Sequence, residues 1–432
     1  MKKIFTLFAL AMATLTASAT DYSDNLKVTL GGITSEQPAT ISVEELSDGN
    51  YTLTLKDFSL NIGGQSLDVG NIVISGAKAV QKDGIKGFAL AQAVNIAAGS
   101  DNSKSWIGPS LGEVPLKLSA EFTSDKLFTV IKIAMNGMSI DVQFGNRFSE
   151  AFYQVQNSNF EEFVGSGKTL EPKYWHSFGS AGGSYAGFVN GTQKVFQSPD
   201  VRPGSTGSSS VKIRSTSALF FIANGNLTTG RVMAGNMSPT STDNNNTSDP
   251  NSPNVDQSGA PFVQPFFGRP DSMVVWVKFV PGNNAPADAK ASIRATIHDN
   301  TKYQNPEDKA YTNTVATAIA LSPKTNGEWV RLSVPFSYTE NDVVPANILF
   351  SISTNETPGK GSSSDELYID DIELVYKNAP LVTSVNTVSV ISATSSSEKG
   401  IYSLDGRRVS SPKAGGLYII KEAGKPARKV RY

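Results

Sequence analysis

From Asp24 to Phe144 the sequence alternates apolar and polar side chains with a period of two, and that pattern limits what these residues can fold into. Leu26, Val28 and Leu30 alternate with Lys27 and Thr29. Tyr51, Leu53 and Leu55 alternate with Thr52, Thr54 and Lys56. Met138, Ile140, Val142 and Phe144 alternate with Ser139, Asp141 and Gln143. In an extended chain, neighbouring side chains leave opposite faces, so each stretch turns one face to a core and one to solvent. Turn residues separate the stretches at Asp48-Gly49-Asn50, Lys82-Asp83-Gly84 and Asn136-Gly137. About eight strands in about 120 residues is the spacing of an antiparallel barrel or sandwich.

The texture changes after this region. From Phe152 to Lys377 aromatic residues are denser, and long loops separate strands such as Met273 to Val280, Ala291 to His298, Ile348 to Ser353 and Leu367 to Tyr376. No segment of helical length shows a 3.6-residue period, so a β-sandwich is expected. Gly225 to Pro261 is rich in Asn, Ser, Thr, Asp, Gly and Pro and reads as a flexible surface loop, with Asn236 to Ser258 mobile. Two independently folding domains are expected to meet near Gly145 to Phe152.

The N-terminus reads as a secretory signal. Lys2 and Lys3 precede an apolar run from Ile4 to Leu15, and Ala17-Ser18-Ala19 supplies small residues for cleavage near Ala19. No later stretch is apolar enough to span a bilayer, so a mature protein that is soluble, secreted or held at the outer cell surface is expected. The chain has no cysteine, which leaves neither a disulfide nor a lipidation site. It carries 38 Lys and Arg against 39 Asp and Glu; without Lys2 and Lys3 this becomes 36 against 39, a net charge of −3. Nothing basic enough to meet nucleic acid stands out.

Catalytic motifs are missing. The two histidines, His176 and His298, are far apart in sequence and lie in no recognised motif, which reads them as ordinary surface residues. Glycoside hydrolysis needs only two carboxylates, for which Glu161, Glu162 and Glu171 are candidates by position.

The residues carry three resemblances. YSDNLKVTLGG, DGNYTLTLKDFSL, DVGNIVISG and GPSLGEVPLKLSAEF, within residues 22 to 146, resemble the calycin-like domain of secreted Bacteroidetes proteins, which implies a lipocalin-like barrel. Asn157-Ser158-Asn159-Phe160-Glu161 and Leu367-Tyr368-Ile369-Asp370-Asp371-Ile372 resemble the opening and closing segments of jelly-roll carbohydrate-binding modules. The whole segment is most similar to the "putative carbohydrate metabolism" domain of exported Bacteroidetes proteins. Gly400-Ile401-Tyr402 through Arg408-Val409, then Gly416-Leu417-Tyr418 and a basic end, resemble the C-terminal sorting domains of type IX secretion.

The resemblance to jelly-roll modules implies a structural Ca2+ tying the first segment to the last strand. The matching positions are Glu161 and Asp371, with Asp370 and Asn159 as helpers. Sugar binding asks for flat rings near hydrogen-bonding groups; Tyr174, Trp175, Tyr185 and Trp276 are the candidates, each of which could equally plug the core. Trp329 reads as structural. The expected organisation is all-β: signal peptide 1–19, calycin-like antiparallel barrel 20–147, β-sandwich or jelly roll 152–378, and linker with short C-terminal β-domain 383–432. The expected function is non-catalytic binding of a glycan or polysaccharide, with the secretion machinery as a further partner through the tail. A carbohydrate-active hydrolase and a structural or adhesion module binding protein partners are the alternatives.

Overall fold

A computed structural model describes residues 19–62, 64–135, 137–218, 220–339, 343–377, 400–402, 408–410, 417–421 and 428–431. The expected signal peptide up to Ser18 and the linker from Ser384 to Lys399 lie outside the described residues. No helix among the described residues is long and apolar enough to cross a membrane.

The alternating region forms one antiparallel sheet. Its strands are β1 (Ala19–Leu30), β2 (Ile33–Glu45), β3 (Asn50–Ile62), β4 (Gln65–Lys78), β5 (Val80–Lys82), β6 (Ile85–Asn95), β7 (Glu113–Phe122), β8 (Leu127–Met135) and β9 (Met138–Phe144), in the order β4-β3-β2-β1-β9-β8-β7-β6-β5. The sheet curls into a half-barrel. Leu26, Val28, Ile41, Val43, Leu53, Leu116, Leu118 and Phe144 fill its interior with a Tyr51, Phe88 and Phe122 aromatic cluster. These are the apolar positions of the period-two pattern. The sheet's far ends meet at a seam where Asn71 and Ala97 exchange backbone hydrogen bonds. Gly70 sits at this seam with φ +124°, and a Cβ there would overlap the Ala97 carbonyl oxygen.

The second region is a sandwich of two five-stranded sheets. The first comprises β12 (Val195–Ser198), β13 (Ser210–Arg214), β26 (Glu366–Val375), β19 (Ser272–Val280) and β23 (Val330–Pro335), in that order. The second comprises β16 (Asn226–Thr228), β25 (Asn347–Ser353), β20 (Lys290–His298), β22 (Thr314–Pro323) and β24 (Ser337–Tyr338). Val211, Ile213, Val275, Val277 and Ile369 of the first face Ile293, Ala295, Ile348, Phe350 and Ile352 of the second in one buried core. A small sheet of β17 (Arg231–Ala234), β18 (Asn244–Ser248) and β21 (Tyr303–Asn305) lies alongside, with hairpins β10 (Phe163–Val164) to β11 (Glu171–Pro172) and β14 (Thr216–Ala218) to β15 (Phe221–Ala223) and one helical turn, α1 (Ala186–Val189). The C-terminal unit is a four-stranded antiparallel sheet of β27 (Gly400–Tyr402), β28 (Arg408–Val409), β29 (Leu417–Lys421) and β30 (Arg428–Arg431), ordered β28-β27-β29-β30.

One expectation is corrected. The segment Gly225 to Pro261 is no flexible loop: it supplies β16, β17 and β18. Its order comes from polar contacts rather than apolar anchors. Asn244 accepts from the Asn236 amide at 3.0 Å and donates to the Ser238 carbonyl at 2.7 Å, while Asn246 and Ser248 are buried. The half-barrel and the sandwich pack together at their junction. Phe128 on the outer face of β8 joins Phe152, Tyr153 and Phe267 in a buried cluster, with Phe152 and Phe267 stacked at 4.3 Å.

Candidate functional site

The outward face of the second sheet is the floor of a cleft of about 610 Å3. Alternation along the strands sends Ile293, Ala295, Phe350 and Ile352 inward, and therefore Ser292, Arg294, Ile319, Leu321, Ser351 and Ser353 outward. Strand register arranges these in two rows. One row runs Asn226, Ser353, Ser292, Leu321; the next has Ser351, Arg294, Ile319. The floor is thus polar along β16 and β25, cationic at its middle and aliphatic along β22, where Ile319 and Leu321 are exposed.

The walls bring rings and amides over this floor. Phe221 and Ile222 of the β14–β15 hairpin stand beside Phe178, Tyr185 and Phe188 from the segment before β12. Tyr185 is held there because Gly182 exchanges backbone hydrogen bonds of 2.8 Å with Val232 and Ala234, and Tyr185 donates to the Ala234 carbonyl at 2.8 Å. Gly183, φ +96°, lets the chain hug β17 this closely, since a Cβ there would strike the Ala234 backbone. The adjoining wall is β17 and β18, which present Val232, Ala234, Asn244 and Asn246.

Several polar atoms of this site have no protein partner. The side-chain oxygens of Asn226, Asn245, Asn246 and Ser351 are buried and unbonded among the described residues. An unsatisfied buried polar atom costs about 1–3 kcal/mol, which a water or a ligand hydroxyl reaching it would recover. The cleft contains one carboxylate, Glu356, and no histidine.

Of the four ring candidates read from sequence, Tyr185 lines this cleft and the other three do not. Trp175 is fully buried between Phe160 and Phe350, its indole donating to the Gln156 carbonyl at 3.0 Å; it plugs the core, and its candidacy as a sugar platform is corrected. Tyr174 is half-buried with φ 68° beside Lys173. Trp276 lies on the outer face of the first sheet, the other side of the sandwich, under the Arg202 guanidinium at 5.4 Å. Trp329 shares that face and donates to Asp200 at 2.8 Å.

The expected metal ligands have other partners. Glu161 accepts from the amides of Ser208 and Ser209 at 3.0 and 2.9 Å, and Asp371 pairs with Arg202 at 2.5 Å. Asp370 is fully buried and takes the Arg202 amide at 3.0 Å; burial pushes its carboxyl up to about 6. Asn159 is exposed. The two ends of the domain are tied directly, by the Ile372 amide on the Ser158 carbonyl at 3.0 Å. No three Asp, Glu or His side chains are placed to hold a cation among the described residues.

Both histidines are buried rather than at the surface. Burial lowers each to about 4, so both are neutral at ordinary pH. His176 pairs its backbone with Thr228, and His298 sits beside Tyr303. Among the candidate carboxylates, burial pushes Glu171 up to about 7. That value would suit a general acid, but Glu171 is not among the residues lining the cleft. Its Oε1 accepts from the Ser177 amide and hydroxyl and from Ser180, at 2.6, 2.7 and 3.0 Å. It fixes the turn that carries Phe178 to the cleft. Sequence reading missed Phe178, Phe188, Asn226, Asn246 and Arg294; the Asn-rich composition around Asn244-Asn245-Asn246 was the one visible signal.

Residues 19–147 match the family described as the calycin-like beta-barrel domain. A search of curated proteins finds no match. Among solved structures, a Bacteroides vulgatus protein described as a "putative glycoside hydrolase" is 19% identical over 50% of this chain and 96% of its own, with a TM-score of 0.34. A Bacteroides thetaiotaomicron protein with the same description is 15% identical over 82% of this chain and 97% of its own, with a TM-score of 0.37. A carbohydrate-binding module of the beta-sandwich superfamily is 7% identical over 82% and 97%, with a TM-score of 0.22. TM-scores of this size carry no inference about what this chain binds or does.

Proposed function

We propose that this is an exported, non-catalytic glycan-binding protein that holds sugar in the cleft on the second sheet. One observation carries the reading: the cleft brings aromatic rings at Phe178, Tyr185 and Phe188 together with amide and hydroxyl side chains at Asn224, Asn226, Asn246, Ser292 and Ser353. A pyranose offers C–H faces for rings and aliphatic floor residues, and hydroxyls for amides and hydroxyls. Binding is favoured over hydrolysis because two-carboxylate chemistry needs a pair about 5–9.5 Å apart. Glu356 is the cleft's single carboxylate.

Export and outer-surface location follow from the signal-like first residues, and the tail is proposed to engage the sorting machinery. Titrating the purified protein with a panel of oligosaccharides by calorimetry tests the function. Binding to at least one member, weakened by Tyr185→Ala, is expected. Failure of every member to bind would sink the proposal, and release of reducing ends would replace it with the hydrolase.

A further inference from the structure

We infer that the cleft selects acidic glycans and that Arg294 reads the carboxylate of a uronic acid residue; this rests on the glycan-binding reading above. Arg294 stands at the middle of the floor, on β20, between Ser351 of β25 and Ile319 of β22. Its side chain is half-buried, and no carboxylate lies within 4.0 Å among the described residues. Among the described residues its one protein hydrogen bond runs from Nε to the Thr296 hydroxyl at 3.4 Å.

Three other arginines of the same domain are engaged. Arg202 pairs with Asp371 at 2.5 Å, Arg214 approaches Glu366 at 4.0 Å, and Arg231 covers the Phe262 ring at 5.0 Å. A guanidinium drawn partly out of water is costly unless a counter-charge meets it. Two carboxylates are near enough to be considered. Glu307 accepts from the Tyr303 hydroxyl at 3.0 Å, and Glu356 lies at an exposed position of the cleft lining. Neither reaches Arg294, so the missing anion is one a ligand brings.

The neighbours fit a sugar acid better than a bare anion. Arg294 is flanked in its own row by Ser351 and exposed Ile319, and the next row adds Ser292, Ser353 and exposed Leu321, so hydroxyls and an aliphatic surface for a sugar's C–H face surround the guanidinium. A guanidinium presents parallel N–H donors that match a carboxylate in two-pronged fashion. An ester at the same carbon offers no negative charge, so it separates carboxylate recognition from sugar recognition.

The test measures Kd by calorimetry for oligogalacturonate, oligoglucuronate and oligoalginate, each paired with its fully methyl-esterified form. At least one acid is expected to bind ten-fold or more tightly than its ester, with a preference that shrinks as salt rises. Arg294→Gln should bring the ratio to about one, chiefly by weakening the acid, with Arg294→Lys intermediate. Equal binding of acid and ester by the wild-type protein overturns the inference without using a variant and leaves the glycan reading standing. A preference that survives in folded Arg294→Gln overturns it too. If neither these compounds nor the neutral panel binds, the glycan reading fails along with it.

Discussion

The ammonium of Lys82, on β5 of the half-barrel, donates to the carbonyl oxygen of Gln154 at 2.8 Å. It also reaches the Pro265 carbonyl at 3.3 Å. Gln154 in turn exchanges two hydrogen bonds with the backbone of Leu374, on the last strand of the sandwich, at 2.7 and 2.9 Å. Two side chains in series, those of Lys82 and Gln154, thus link the edge of the half-barrel to the closing strand of the next domain, beside the stacked Phe152 and Phe267.

Residues 19–377 should therefore melt in one cooperative transition rather than two. Phe152→Ala should lower stability by about 3–5 kcal/mol, as for other large buried aromatics. Scanning calorimetry decides this; two well-separated transitions in the wild-type protein would show that the domains fold independently.

The same lysine makes the junction sensitive to pH. Burial lowers its pKa to about 7, with Asp83 pulling the other way. Between about pH 7 and 10.5 the unfolded chain holds this proton and the folded chain does not, so stability rises with pH across that window. Below it both states are charged and the full cost of burying the ammonium remains. Lys82→Met should remove this part of the pH dependence, a few kcal/mol at most. Melting curves of both proteins at pH 6.5 and 9.5 measure the difference, and parallel responses would contradict the assignment.

Glu171 gives the opposite sign. Its folded pKa is raised to about 7 by burial, so the stability it contributes is complete below its ordinary range and is lost as pH rises through about 7. Glu171→Gln keeps an oxygen for the Ser177 and Ser180 donors without the charge. The variant should be more stable than wild type at pH 8, by up to about 3 kcal/mol, and equal to it at pH 4. Chemical denaturation at both values tests this, and a variant less stable at pH 8 would speak against it.

The two aromatic faces of the sandwich should separate in binding. Tyr185→Ala should weaken glycan binding about ten-fold or more, the equivalent of roughly 1.4 kcal/mol. Trp276→Ala, on the opposite sheet, should leave it unchanged. Calorimetry with one bound oligosaccharide distinguishes them; the reverse result would move the site to the first sheet.

Calcium at Glu161 and Asp371 remains testable by chelation. Since both carboxylates have protein donors, the melting temperature should not move with EDTA or added calcium. A fall on chelation, abolished by Asp371→Ala, would place a cation there after all.

The first domain was legible because its signal is local. Each strand's inner residues are set by the two-residue period, and Leu26, Leu53, Leu118 and Phe144 are buried as that period requires. The family match over residues 19–147 agrees with the calycin-like reading. The pattern breaks at the start of β8, where Leu127, Phe128 and Val130 leave no polar face, because the first half of that strand is covered on both sides.

The site was less legible. Trp175 and Tyr185 are both rings in a loop, and nothing local separates the one that fills the core from the one that faces the cleft. The Asn-rich segment read as mobile because it lacks apolar anchors, yet its amides are bound into β17 and β18 and form a wall. Arg294 is simply the polar member of an alternating strand. By itself the sequence determined which residues turn inward along each strand, since that depends only on backbone geometry. Only the tertiary structure decided which outward faces are covered, which polar atoms lack partners and which charge stands alone, because those depend on what other segments, remote in sequence, bring within a few ångströms.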